Sequence, residues 1–301
     1  MVSRWWGLAG GYLFDFAFEE KLLRPHPVAL AGKALERWEH MCYRDTRAAG
    51  AVYVAGGLAL AEFAFRSVPV VVAATYVTVA HSMLLGEARA VKSLLEKGDV
   101  PAARDRVRSL VGRDTASLSE SEIARAVIES VAENTVDGVV APLLWAAVGG
   151  ARGAYVYRMI NTMDSQVGHR SERYRRFGAA AARLDDAANY LPARVAALGL
   201  MALRPSRSAA VAGIIRRDAP AHPSPNAGVI EAAFAALLEV SLGGENLYQG
   251  LAEHRGVLGG GSPPLAADIE EACRLSRMLG LATLCFVGLA GIAFTAVRRR
   301  G

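Results

Sequence analysis

The chain has 301 residues, of which 52% are hydrophobic and only 21% charged, with a mean hydropathy of +0.23. That excludes an ordinary water-soluble enzyme, which is less apolar, and a plain bundle of membrane spans, which carries fewer charges. The net charge of +5 and pI near 9.3 do not mark a nucleic-acid binder: no continuous basic stripe or nucleic-acid motif accompanies them, and bilayer anchors and anionic small substrates explain the balance.

In chain order, Arg4 followed by Trp5–Phe18 faintly resembles a signal sequence. It lacks a small-residue cleavage site, so a retained membrane or interfacial helix is expected. Candidate spans follow near 51–66 and 68–85, parted around Arg66 and Ser67. Gly86–Gly98 is an amphipathic helix with Glu87, Arg89, Lys92, Glu96 and Lys97 facing water, and a break at Gly98-Asp99-Val100-Pro101 precedes a second helix over Ala102–Val111. Residues 112–122 form a polar loop in which Ser119 and Glu122 make a capping box for the next helix. That helix bends near Gly138 and Pro142 and feeds a candidate span at 139–157. Residues 159–186 are polar, rich in arginine and aspartate, and a shorter candidate span follows at 187–203. HPSPNAG, residues 222–228, is a turn leading into a helix. GGENLYQG (243–250) and GVLGGGSPP (256–264) are expected as loops. A last span at 279–297 ends in Arg298-Arg299-Arg300, which places that end in the cytoplasm. No run has the period of two that marks strands. The expected protein is all-α: one domain over 1–301, a multi-span integral membrane protein with a polar helical, cytoplasm-facing central portion. Cys42, Cys273 and Cys285 lack metal-ligand spacing and read as reduced packing residues.

Three polar clusters interrupt the apolar segments. Glu129, Glu133 and Asp137, with Asn134 beside them, lie four apart, so a helix stacks them on one face. Arg125 offsets Glu129, but Glu133 and Asp137 have no cation within four residues. The solvated face of an amphipathic helix would look the same. In NTMDSQVGHRSERYRRFG (161–178), Asn161 and Asp164 are i, i+3 neighbours, followed by Arg170, Arg173, Arg175 and Arg176; a membrane-flanking basic loop is the bland alternative. In RLDDAANYLPAR (183–194), Asp185 and Asn189 share a helix face beside Asp186, and such acids at an interface call for a cation. Carboxylates and amides suit Mg²⁺, and arginines suit phosphates. The chemistry indicated acts on a phosphorylated substrate or nucleotide. No HExxH, CxxC, Walker A or GxGxxG motif is present.

LVGRDT (110–115), ESVAENTVDGVVAPLLW (129–145), YRMINTMDSQVGHRSERYRRFG (157–178), ARLDDAANYLPAR (182–194) and SPNAG (224–228) occur in that order. Together with HPVALAG (26–32) and GGENLYQG they resemble the adenosylcobinamide-phosphate synthase family of cobalamin biosynthesis over nearly the whole chain. Leu23-Arg24-Pro25 stands where that family has an acidic triplet, and Val229 where an aromatic is common. The resemblance implies a membrane enzyme, a carbon–nitrogen ligase. It consumes ATP to join the free propionate of adenosylcobyric acid to aminopropanol or its O-phosphate, with the active site facing the cytoplasm. Glu129, Glu133 and Asp137 are then the catalytic candidates, as general bases or Mg²⁺ ligands, and Asp164, Asp185 and Asp186 the metal candidates. Arg113, Arg170 and Arg173 would take phosphate; Asn134, Asn161, Asn189 and Asn226 would orient the corrin's amide rim. The implied partners are these substrates, the lipid bilayer and a complex with other corrinoid-assembly membrane enzymes, without nucleic acid. The rivals are a membrane Mg²⁺-dependent phosphotransferase or prenyltransferase, whose DxxD or DDxxD spacing LDDAAN does not extend into, and a non-catalytic transporter or scaffold.

Overall fold

Capping side chains set several of the helix N-termini in this protein. In the computed structural model, which describes residues 2–18, 25–169, 171–248 and 250–298, α1 (Val2–Phe18) precedes α2 (Pro27–Cys42) and α3 (Arg47–Ser67). Thr46 caps α3 by accepting from the Ala49 amide at 3.2 Å. Next come α4 (Val71–Thr78), α5 (His81–Glu96) and α6 (Val100–Val107). Ser119 starts α7 (Glu120–Thr135) with the expected capping box: its amide donates to Glu122 Oε2 at 2.8 Å while its hydroxyl accepts from the Glu122 amide. A π-helical turn at Val136–Val140 leads into α8 (Ala141–Val167). Then follow α9 (Ala179–Leu203), α10 (Ser208–Asp218), α11 (Ala227–Leu238), strands β1 (Leu242–Tyr248) and β2 (Leu251–Leu258), and α12 (Ala266–Arg298).

The fold is therefore helical, as expected, with one addition. GGENLYQG is not a loop: β1 pairs antiparallel with β2, with a bulge between Leu242 and Gly244. Gly243 and Gly244 adopt positive φ of 74° and 83°, so these glycines shape a strand instead of ending one.

Four helical segments are long and apolar enough to cross a membrane: Arg47–Ser67, Val71–Glu96, Glu120–Val167 and Ala266–Gly291. They overlap four of the five expected spans. The fifth, 187–203, is the second half of α9, which contains Arg194 and Pro192 and is not among the four. Val52, Phe63, Phe286 and Leu289 point outward, as lipid-facing side chains would.

Backbone contacts divide the chain into two compact units. The first comprises residues 1–80, 137–191 and 283–301. Its core packs Leu35, Tyr53, Tyr157, Met163 and Phe177 in one cluster and Leu8, Tyr12, Ala74, Val139 and Leu143 in another. Here α8 is broken at Gly150, whose φ of 65° and ψ of −149° suit only glycine. The chain reverses there, which lets Tyr157 and Asn161 reach back to Asp137. Arg4 of α1 donates to the carbonyls of Ala147 (3.3 Å) and Val148 (3.2 Å), capping the helix end before the reversal. The second unit comprises residues 81–136 and 192–282, with Ile123, Val127, Ile128, Leu200, Phe234 and Ile269 in its core.

Candidate functional site

In the second unit, the cation that Glu129 needs comes from far along the chain. Arg113 Nη1 donates to Glu129 Oε2 at 2.8 Å, and both side chains are buried, 3% and 11% exposed. The other carboxylate oxygen accepts from the Gly243 amide at 2.7 Å, and Arg125 Nε lies 4.0 Å from it. Arg113 also donates to Asn246 Oδ1, which Arg125 Nη2 reaches at 3.2 Å. Arg125 further donates to the carbonyls of Gly243 and Glu245. Asp114 clamps the far end of the hairpin, its amide donating to Leu247 O and its carboxylate accepting from the Gly250 amide, both at 2.8 Å. LVGRDT and GGENLYQG are thus two halves of one structure, joined on a buried ion pair.

A second buried acid stands on α11. Glu231 is 2% exposed, with its Oε1 at 3.6 Å from His222 Nε2. The turn before α11 explains how His222 arrives there. The Ser224 hydroxyl accepts from the amides of Asn226 and Ala227, and the Ser224 amide donates to His222 Nδ1 at 3.1 Å. Arg194 holds the turn through Asn226 Oδ1 at 2.6 Å and Pro225 O at 3.1 Å. Burial pushes the Glu231 carboxyl well above the usual carboxylate range; Glu129 and Glu133 push the same way, and Arg255 and Arg113 oppose them. Burial also lowers the His222 imidazole, so it stays neutral. His222 Nδ1 lies 3.1 Å from both the amide nitrogen and the carbonyl oxygen of Ser224, which turns Nε2 toward Glu231. Around Glu231 the carboxyls of Glu129 and Glu133 and the guanidinium groups of Arg255 and Arg113 act on one another, with Arg125 beside Glu129. Glu133 is solvent-exposed and Glu129 is not, so the ladder read from the sequence divides into different environments. Asn134 donates to Ser130 O at 2.9 Å on its own helix.

In the first unit, Asp137 lies in the π-helical turn, a geometry often found at functional positions. Asn161 Nδ2 donates to its Oδ2 at 3.0 Å. Tyr157, fully buried, donates to Asn189 Oδ1 (2.8 Å) with its hydroxyl also 3.2 Å from Asp137 O, and Asn189 Nδ2 donates to Asp185 Oδ2 at 3.0 Å. The ENTVDG, RMINTMD and LDDAAN motifs thus converge in one polar network. Asp164 and Asp186 are half-buried. Among the described residues, no three Asp, Glu, His or Cys side chains group as a metal site, so the acids proposed as ligands do not form a closed cage. Arg173 donates to buried Glu39 at 2.9 Å and stacks 3.9 Å over the Tyr43 ring, beside a cavity of about 560 Å³ lined by Glu36, Glu39, His40, Gln166 and Tyr174. Arg170, like Leu23, Arg24, Arg299 and Arg300, lies outside the described residues.

Reading the sequence missed Asn246, Tyr157, Glu231 and Arg255. Glu231 carried a signal: it is the one acid in the apolar run Ala227–Leu238.

A family model described as CobD/Cbib protein matches residues 8–276. The chain is 45% identical over 307 residues to the cobalamin biosynthesis protein CobD of Mycobacterium tuberculosis (strain ATCC 25618 / H37Rv), covering 98% of this chain and 96% of that protein. It is 40% identical over 304 residues to the protein of that name from Halalkalibacterium halodurans, covering 94% and 95%. The Geobacter metallireducens protein is 40% identical over 274 residues, covering 85% and 86%. No solved structure matches.

Proposed function

The chain belongs to the CobD/Cbib protein family, and from that premise we propose that it is the ATP-dependent synthase that joins aminopropanol or its O-phosphate to adenosylcobyric acid in cobalamin biosynthesis. The observation that carries this reading is the buried Arg113–Glu129 pair, with Arg125 and Asn246 gathered on it by the hairpin. A water-excluded array of guanidinium and amide donors is what a transferring phosphoryl group requires.

The chemistry follows from the substrates. A propionate carboxylate resists attack by an amine. Transfer of the terminal phosphoryl group of ATP to a carboxylate oxygen gives an acyl phosphate and ADP. The amine nitrogen then attacks the carbonyl carbon, the C–O bond to phosphate breaks, phosphate leaves with the electron pair, and the amine proton passes to a base. Arg113 and Arg125 would neutralise the phosphoryl oxygens. Glu129 has both oxygens engaged, so it acts by fixing Arg113 and the hairpin. Glu133, which follows Glu129 by one turn of α7, is the base candidate that remains in this unit. Asp137 and Asp185, each receiving an amide donor, offer the first unit's carboxylates to a cation. This all-oxygen donor set fits Mg²⁺, which is held by one or two carboxylates; bound there, it would supply charge neutralisation for a phosphorylated substrate. Asn161 and Asn189 would then orient carboxylates before they met the corrin rim.

Membranes containing the protein, supplied with adenosylcobyric acid, aminopropanol phosphate and Mg-ATP, test the reading. The expected result is a new corrinoid amide formed in step with ADP. ATP turnover without amide, or no turnover, would overturn it.

A further inference from the structure

The Arg113 guanidinium uses only part of itself. Nη1 serves Glu129 and Asn246, while Nε and Nη2, the side-on edge that grips a carboxylate or phosphate through two parallel hydrogen bonds, are buried without a hydrogen-bond partner among the described residues. Asn246 Nδ2 and Arg125 Nε are in the same condition. Four buried donors from three elements therefore lack acceptors around one ion pair. Leaving such donors unmet forfeits their hydration with nothing in return, which a fold does not sustain four times in one place without a compensating ligand. Glu129 is the carboxylate that lies within 4.0 Å of both Arg113 and Arg125, one negative charge in contact with two positive ones.

We propose that the Nε/Nη2 edge of Arg113, with Asn246 Nδ2 and Arg125 Nε, is a phosphoryl-oxygen site roofed by the β1–β2 hairpin. It rests on the synthase reading only for the source of the phosphate, a nucleotide or a phosphorylated aminoalcohol; the binding itself needs no turnover. Because Asn246 belongs to β1, a ligand entering beneath the roof must move the hairpin.

The test is thermal unfolding of the full-length protein in mild detergent with inorganic phosphate, phosphoethanolamine or tripolyphosphate. At least one probe should raise the unfolding temperature saturably. Tripolyphosphate alone would assign the site to nucleotide; phosphoethanolamine would assign it to the aminoalcohol phosphate. Asn246→Asp places a carboxylate among the same donors, so it should weaken the effective probe at least 10-fold while leaving the unliganded protein as stable as wild type or more so. No saturable shift with any probe, or unchanged affinity in N246D, overturns the site. Hydrogen exchange of residues 242–258 in the wild-type protein guards against a variant that fails to fold. Added probe should alter their protection, and identical exchange overturns the proposal. An inactive protein that still binds phosphate would refute the synthase reading and leave this site standing.

Discussion

Replacing Glu129 by Gln separates a structural role from a catalytic one. The substitution keeps shape and removes the charge facing Arg113, whose side chain is 3% exposed. The amide oxygen can accept from Arg113 or from the Gly243 amide, which now share both carboxylate oxygens, but its NH₂ must then face the other donor. Removing one partner of a buried pair costs about 3–5 kcal/mol because the remaining charge is stranded. For a chain of this size each kcal/mol is worth roughly 2–4 °C, so the unfolding temperature should fall by on the order of 10 °C. The assay is thermal unfolding in mild detergent, with Arg113→Met and the double variant completing a cycle. Removing both charges should recover much of the loss, since an apolar replacement strands nothing, and the coupling should exceed about 2 kcal/mol. A Glu129→Gln protein within about 1 kcal/mol of wild type, or an additive cycle, would refute the claim that this pair anchors the hairpin.

Three further outcomes are expected. Glu231 has a carboxyl pK raised by burial, so its contribution to stability is complete below the unfolded value near ~4.3 and is lost as pH rises through the folded value. Wild type and Glu231→Gln should therefore be alike near pH ~4, and the variant should become progressively the more stable of the two as pH rises from there in pH-stepped unfolding; a difference constant with pH would contradict this. Asp137→Asn should reduce amide formation by about 100-fold or more while membrane insertion, scored by fractionation, is unchanged; near-normal turnover removes Asp137 from the site. Gly150→Ala should destabilise by about 1–3 kcal/mol, since φ of 65° with ψ of −149° is closed to alanine, and a neutral unfolding shift would mean that the reversal is absent.

Sequence reasoning reached what local chemistry determines. Ser119 and Glu122 announced the start of α7, and the apolar run over 51–66 announced α3, because caps and hydropathy are written in adjacent residues. The helical class and the family followed from such signals. The hairpin escaped because Gly243 and Gly244 read as breakers, whereas their positive φ serves a bulge whose partner strand appears only in three dimensions. The partner of Glu129 escaped for the same reason: Arg113 is 16 residues away and Asn246 is 133 from Arg113, beyond any helical period. Glu231 stood out in the sequence only as one acid among apolar neighbours, and the same burial is why its carboxyl is so strongly perturbed.

The bonds from Arg4 to the carbonyls of Ala147 and Val148 link α1 to a helix end 143 and 144 residues later, just before the bend. During synthesis the first helix would wait, its guanidinium uncommitted, until that bend emerged. A purification handle or deletion placed at the amino end would act as a mutation in the middle of the protein, showing itself as faulty assembly of a segment it does not adjoin.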